Sequence, residues 1–151
     1  MPIIDAEGSI FDSPAHALVN PVNCFGVMGG GLAKEFAIRF PDVERKYVED
    51  CRNGHIITGH VMVYDAGLTH DILCFPTKYR IWEPSRIEYI IGGLRSLREV
   101  VFRHYYGSIA IPALGCGLGG LDWEEVRPLI VKAFEGRDDV RVYLYAPKEK
   151  K

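Results

Sequence analysis

The chain has 151 residues, which suits one domain built around one hydrophobic core. Its composition, 48% hydrophobic and 25% charged, is that of a globular protein that folds alone, and it excludes a disordered or fibrous chain. The formal net charge of -2 excludes a surface that grips a nucleic-acid backbone by bulk positive charge, so any such contact must be local.

Neither a membrane segment nor a metal centre is expected. No apolar run approaches the roughly 18 residues of a spanning helix, and the first five residues lack the features of a signal peptide, so we expect a cytoplasmic protein with no membrane partner. The cysteines Cys24, Cys51, Cys74 and Cys116 form no Cys-x-x-Cys pair, which favours buried free thiols over a zinc or redox site. We therefore predict no metal and no cofactor.

Strand and helix patterns alternate along the chain. Short apolar runs rich in β-branched residues indicate strands, and apolar residues at steps of three and four indicate helices with one buried face. In chain order, the predicted elements are a strand at 17–19, helices at 32–40 and 43–52, strands at 60–64 and 72–75, a helix at 86–104, a strand at 108–111, a helix at 123–134 and a strand at 140–145. This order predicts an α/β fold in which helices cover both faces of the sheet and ligands bind at the carboxyl ends of the strands.

Two helix starts carry capping signals. Ser85 followed by Glu88 predicts a capping box at the start of the third helix. Asp122 with Glu125 predicts a similar start for the last helix, where Pro128 predicts either kinked first turns or a later beginning. We assign residues 1–147 to a single domain and residues 148–151 to a charged tail.

The first strand-to-helix turn contains a glycine-rich loop, residues 26–31. Its glycines allow a close backbone approach to a ligand, and the following helix adds partial positive charge, so the loop can hold a phosphate. No Gly-Lys-Ser/Thr ends it and the Gly-x-Gly-x-x-Gly spacing is absent, which excludes a P-loop and a dinucleotide fingerprint. The alternative is a flexible turn whose glycines serve only backbone geometry.

A second glycine-rich loop, residues 115–120, also leaves an apolar strand and enters a helix. Two such loops could close on one diphosphate without any basic patch, because backbone dipoles can hold the charge. Asn20 and Asn23 bracket the end of the strand before the first loop. Their amides could bind ribose hydroxyls or satisfy the backbone of the turn, and spacing favours the turn.

Three ordered blocks, residues 19–33, 75–78 with 85–88, and 112–123, resemble macrodomains over nearly the whole chain. The match is nearest to the DNA ADP-ribosyl glycohydrolase branch, the macrodomains of DarG antitoxins, which also resemble the vertebrate terminal ADP-ribose glycohydrolase. The resemblance implies a three-layer α/β/α macrodomain with a mostly parallel mixed sheet, in which the two loops hold the diphosphate of ADP-ribose, Asn23 orients the distal ribose and Lys78 is catalytic. The other ligand-binding positions that it implies are Ser9, Ile10, Asn20, Gly29, Gly30, Gly31, Leu32, Thr77, Gly115, Cys116, Gly117, Leu118 and Gly119.

At two positions the chain departs from the family pattern. Ser9 stands where many macrodomains carry an aspartate that reads the adenine amino group, and Gly119 stands where the vertebrate enzyme carries an acidic residue. The second departure points to a hydrolase that relies chiefly on Lys78. A neutral lysine can attack the opened sugar to form a Schiff base, and a protonated one can help the leaving group depart.

The resemblance implies hydrolysis of the ADP-ribosyl linkage on a modified macromolecule, with DNA as the expected one. Alternatives are an ADP-ribose 1″-phosphate phosphatase and a reader that binds ADP-ribose without turnover. We expect the protein to be a monomer. Its expected partner is ADP-ribose or an ADP-ribosylated substrate, with ADP-ribosylated single-stranded DNA as a candidate. A small basic and aromatic group, on which a base could stack, consists of Lys78, Arg80, Trp82 and Arg86. The alternative is that Trp82 packs on the domain and the arginines are solvated.

Overall fold

The computed structural model describes residues 3–67 and 69–147, so the predicted tail at 148–151 lies outside the described residues. Six strands and four helices follow one another, with a short 3-10 helix at Ile10–Asp12 after the first strand. The strands are β1 (Ile3–Ala6), β2 (Ala17–Asn23), β3 (Met62–Asp65), β4 (Asp71–Lys78), β5 (Ser108–Ile111) and β6 (Arg141–Tyr145). The helices are α1 (Gly31–Arg39), α2 (Pro41–Arg52), α3 (Ile87–Arg103) and α4 (Trp123–Ala133).

All six strands form one sheet in the order β1-β6-β5-β2-β4-β3. Every neighbouring pair is parallel except β3 with β4, which is antiparallel, so the sheet is mixed and mostly parallel as predicted. A register shift between Val22 and Asn23 places Asn23 opposite Lys78 at the ends of β2 and β4. This pairing brings the two residues with the most specific predicted roles next to each other.

Two hydrophobic clusters pack on opposite faces of the sheet. Side chains alternate between them along each strand, so Leu73 and Phe75 of β4 join one cluster while Ile72 and Cys74 join the other. Helices α3 and α4 cover the first cluster, and α1 and α2 cover the second. The result is the three-layer α/β/α architecture that the sequence predicts.

The topology fixes where a ligand can bind. The chain leaves β2 towards the helices of one face and leaves β5 towards α4 on the other, which opens a crevice between the carboxyl ends of these adjacent strands. In open α/β sheets such a switch point is the usual ligand site. Both glycine-rich loops flank this crevice.

The predicted elements are confirmed, with four main differences. Strand β4, predicted at 72–75, runs from Asp71 to Lys78. Strand β1 was not predicted, because four residues carry too little pattern to separate a strand from a loop. Strand β2 runs on through Asn20-Pro21-Val22-Asn23, since it pairs with β5 only at Ala17 and Leu18 and so tolerates a proline beyond them. The predicted capping box is wrong: Arg86 is the N-cap of α3, and it makes no side-chain cap bond.

The last helix begins at Trp123 and continues through Pro128, with Asp122 at the N-cap but without a bond from its side chain. Of the two predicted effects of Pro128, a later beginning is therefore wrong. Among the described residues, no helix combines the length and the apolar character that crossing a membrane requires.

Candidate functional site

Asn23 organises the first glycine-rich loop. Its side-chain oxygen accepts the N–H groups of Phe25 at 3.0 Å, Gly26 at 3.0 Å and Val27 at 3.4 Å. Its side-chain nitrogen donates to the Val27 carbonyl at 2.8 Å. As the structure stands, both polar atoms of this amide are bound to the loop itself, as the turn alternative requires. Its predicted contact with the distal ribose stays a prediction.

Tyr47 of α2 holds Asn23 in place by hydrogen bonds. Its hydroxyl lies 2.6 Å from the Asn23 carbonyl oxygen and 3.0 Å from the side-chain oxygen, and the residue is fully buried. Burial, together with the nearby Cys51, raises the pKa of Tyr47 far above its usual value, so the hydroxyl remains a donor at any working pH. The sequence analysis missed this residue, because nothing in an apolar helix stripe distinguishes a tyrosine that bonds from one that only packs.

The first loop leads directly into the start of α1. Gly30 is the N-cap without a side-chain cap bond, and Gly31 has a positive φ of 55°, a conformation that favours glycine. The first N–H groups of a helix have no acceptor within it, so those of Gly31, Leu32 and Ala33 are open to an anion. The loop therefore presents the phosphate-binding geometry that its glycines suggest.

The second loop is held by its own backbone. The N–H of Cys116 bonds to Ala113, that of Gly120 to Gly117, and that of Leu121 to Gly115, all between 2.9 and 3.2 Å. Within the described residues, the N–H groups of Gly117, Leu118 and Gly119 donate to no backbone carbonyl. This loop also offers a row of consecutive free donors.

Ser85 packs against the second loop at Gly119. Its N–H donates to the Gly119 carbonyl at 3.0 Å, its hydroxyl is buried, and that hydroxyl has no hydrogen-bond partner in the part of the chain described. A Cβ on Gly119 would lie 2.2 Å from the Ser85 hydroxyl and 2.6 Å from the Gly115 carbonyl oxygen. Position 119 therefore has no room for a side chain, which explains sterically why no acidic residue stands there.

The two loops touch each other. A Cβ built on Gly30 would lie 3.3 Å from the Leu118 side chain, which itself is largely exposed. The donors of the α1 start and those of Gly117 to Gly119 consequently border one crevice. Such an arrangement suits a diphosphate bound from both sides by backbone N–H groups.

Lys78 ends β4 directly beside this crevice. Its ammonium donates to the Ile81 carbonyl at 3.1 Å, which ties it to the loop that follows the strand. The N–H of Cys24 bonds to the carbonyls of both Lys78 and Tyr79, at 3.1 and 3.0 Å, and so joins the first loop to the end of β4. The loops after β2 and β4 thus meet beside this lysine.

The remaining predicted positions lie at the 3-10 helix and in β2 and β4. Ser9 caps the 3-10 helix, because its hydroxyl accepts the Phe11 N–H at 3.2 Å, and Ile10 is buried in the core. Thr77 is buried at the end of β4. Asn20 is fully buried under the first loop, where its amide nitrogen lies 3.9 Å from the sulfur atoms of Met28 and Cys74. Their predicted contacts with ADP-ribose stay predictions.

All four cysteines are free, and Cys74 is buried while the others are partly buried. Burial and the nearby Cys51 raise the pKa of Cys24 to about 11, and burial with Asp122 raises that of Cys116 to about 11. The thiols beside the two loops are therefore protonated near neutral pH and unsuited to act as nucleophiles. In the described part of the chain, cysteine, histidine and carboxylate side chains form no group of three that could hold a metal.

Comparison with known proteins identifies the family to which this sequence is similar. A family model described as the Macro domain matches residues 19–130. A DNA ADP-ribosyl glycohydrolase of Thermus aquaticus is 42% identical over 146 residues, which cover 95% of this chain and 41% of that protein. The chain therefore spans about two fifths of the length of this curated relative.

Solved structures agree closely. The macrodomain of Mycobacterium tuberculosis DarG superimposes with a TM-score of 0.95 at 39% identity, covering 97% of this chain and 98% of that one. Thermosipho africanus DarTG, solved in complex with ADP-ribose, matches with a TM-score of 0.88 at 35% identity, covering 96% of this chain and 41% of that one.

Proposed function

Since the chain belongs to the macrodomain family, we propose that it binds ADP-ribose at the carboxyl edge of the sheet and hydrolyses the bond that links it to modified DNA. The observation that carries the proposal is the position of Lys78: it stands opposite Asn23 in the register of β2 and β4, and the side chain of Asn23 holds the first donor-rich loop.

The loops supply the binding. A diphosphate between them would accept N–H groups from the α1 start and from Gly117 to Gly119, which lack carbonyl partners of their own in the described structure. Backbone donors need no basic side chains, in keeping with the net charge of -2. Because Asn23 and Ser85 hold the two loops in place before a ligand arrives, little ordering free energy is lost on binding.

Lys78 supplies the chemistry. Hydrolysis breaks the bond between the anomeric carbon of the distal ribose and the nitrogen or oxygen of the modified group, and water delivers a hydroxyl to the sugar and a proton to the leaving group. Lys78 can serve as a neutral nucleophile towards the opened sugar or as an ammonium that protonates the leaving group. Either role requires it to exchange the Ile81 carbonyl for the substrate. Since position 119 has no room for an acidic side chain, the second loop adds no carboxylate at that position.

The choice of DNA rests on the relatives. Those that match nearly all of this chain include proteins named DNA ADP-ribosyl glycohydrolase, at 42% and 40% identity, but this chain covers only 41% of each. We propose single-stranded DNA as the modified form, because the base and its linkage to ribose must both reach the edge of the sheet, and paired bases are enclosed in a duplex.

The test compares release of ADP-ribose from three substrates: ADP-ribosylated single-stranded DNA, protein ADP-ribosylated on glutamate, and ADP-ribose 1″-phosphate. We expect free ADP-ribose from the DNA at a rate well above that from the protein, and no inorganic phosphate. Release of phosphate would replace the proposal by a phosphatase. Tight calorimetric binding of ADP-ribose without turnover of any substrate would replace it by a reader.

A further inference from the structure

An exposed aromatic surface lies beside Lys78, outside the two glycine-rich loops. Phe25, just before the first loop, is 53% exposed, and Trp82 of the loop after β4 is 67% exposed. Tyr79, next to Lys78, is also exposed. Single exposed apolar side chains are ordinary, but neighbouring aromatic rings at the rim of a site indicate a contact surface for a ligand or partner.

These rings are held in place without being covered. Phe25 and Trp82 pack edge to face, with ring centroids 5.5 Å apart and planes at 70°. The Arg80 guanidinium lies 5.9 Å from the Trp82 ring and bonds to the Glu83 carboxylate at 2.8 Å. Trp82 is therefore held by its neighbours while most of its ring stays exposed. We call Phe25, Trp82 and Arg80 the aromatic platform.

The aromatic platform adjoins the reacting end of the site. A pocket of about 250 Å³ is lined by Cys24, Phe25, Tyr79, Arg80 and Glu83. The N–H of Cys24 bonds to the carbonyls of Lys78 and Tyr79, so this pocket opens where β4 ends at Lys78. With Lys78 acting at the anomeric carbon, as the proposed function has it, the group attached to the distal ribose would leave the crevice in this direction.

We infer that the aromatic platform binds unpaired bases of the DNA strand that carries the ADP-ribose, by stacking on Trp82 and Phe25. This inference rests on the proposed function. Aromatic side chains are the usual stacking partners of single-stranded nucleic acid, and an arginine beside them adds to the attraction. A duplex keeps its bases stacked on one another, so the aromatic platform selects single strands.

Charge plays a smaller part in this contact. Glu83 neutralises much of the Arg80 charge, and the chain as a whole carries a net charge of -2. Stacking, rather than contact with phosphates, therefore supplies most of the binding of the strand. The affinity for single-stranded DNA should accordingly fall only weakly as the salt concentration rises.

The experiment measures kcat/KM on an ADP-ribosylated single-stranded oligonucleotide and on the corresponding ADP-ribosylated nucleoside, and follows the ratio of the two. We expect Trp82→Ala to lower that ratio at least about 10-fold, since stacking of one base is lost, and Trp82→Phe to restore most of it. Phe102→Ala is a matched control, because Phe102 is 68% exposed and lies 5.8 Å from the Arg137 guanidinium, far along α3. It should leave the ratio unchanged.

A ratio in Trp82→Ala equal to that of the parent would overturn the inference, whether both values of kcat/KM are unchanged or both fall by the same factor. If the parent releases no ADP-ribose from either substrate, the proposed function fails by itself. The aromatic platform is then judged by titrating the unmodified oligonucleotide into the parent and into Trp82→Ala. Binding weakened at least about 10-fold supports it, and equal binding refutes it.

Discussion

The two glycine-rich loops resemble each other in sequence, yet they are held by opposite means. The first loop is held by one buried side chain, because the amide of Asn23 bonds to three backbone N–H groups and one carbonyl there. In the second, backbone bonds close the turns, and the decisive feature is a missing side chain, since Gly119 leaves the room that Ser85 fills. Glycine content alone thus says little about how a phosphate loop is stabilised.

The difference predicts where each loop is fragile. The first loop should fail when a polar side chain is removed, and the second when one is added. Because the two loops of the binding site depend on different interactions, each loop can be weakened separately. Substitutions in each loop therefore separate the contributions of the two loops to ADP-ribose binding, and the largest effect is expected in the first loop.

Asn23→Ala should damage the first loop most. It leaves three backbone N–H groups and one carbonyl without their partner, and we expect the free energy of unfolding to fall by about 3 kcal/mol in urea denaturation. Asn53→Ala, at an exposed asparagine that ends α2, should change it by less than about 0.5 kcal/mol. A loss in Asn23→Ala as small as in this control would mean that the amide does not hold the loop.

Gly119→Ala should have the second-largest effect, by distorting the second loop. The new Cβ would lie 2.2 Å from the Ser85 hydroxyl, and overpacking of this kind costs about 2 kcal/mol. Because the displaced loop carries free N–H donors, calorimetry should show ADP-ribose binding weakened by about 10-fold or more. Gly92→Ala, in α3 and outside both loops, is the control, since a Cβ at Gly92 would make only an ordinary contact, 3.5 Å from the Gly59 Cα. If both variants bind alike, the tight fit at Gly119 does not shape the site.

Tyr47→Phe should give a smaller effect, confined to the first loop. It removes the hydroxyl that bonds to Asn23 and leaves the loop's own bonds in place, so the free energy of unfolding should fall by about 1 kcal/mol. Tyr105→Phe, at a residue that is almost fully exposed, should have no measurable effect. A difference between Tyr47→Phe and parent within the error of the urea titration would remove Tyr47 from this account.

The last prediction concerns the thiols beside the two loops, which should behave alike. Alkylation needs the thiolate, and a pKa of about 11 instead of the ordinary 9.0 keeps Cys24 and Cys116 protonated until the solution is strongly alkaline. At pH 8 each should react with iodoacetamide on the order of 100-fold more slowly than a peptide cysteine, with rates that still rise beyond pH 10. The alkylation rates are measured by mass spectrometry. Rates that level off near pH 9 would contradict the raised pKa of these two thiols.

The sequence predicts the fold better than it predicts the supports of the site. Periodicity located the strands and helices because packing on both faces of the sheet enforces it, as in the alternation along β4. Ser85 shows where local reasoning fails: its spacing to Glu88 predicts a cap, but contact with Gly119, distant in the chain, takes its place. For Asn23 the sequence left two roles open, and only the hydrogen bonds of the folded loop show how the amide is engaged.

The central claim is that the glycine loops hold ADP-ribose and Lys78 breaks its bond. It is tested most directly by measuring, in Lys78→Ala, both the calorimetric affinity for ADP-ribose and the rate of release from ADP-ribosylated single-stranded DNA. We expect an affinity close to that of the parent, because the phosphate donors lie in the loops, and release slowed by about 100-fold or more. Release as fast as in the parent would contradict the account.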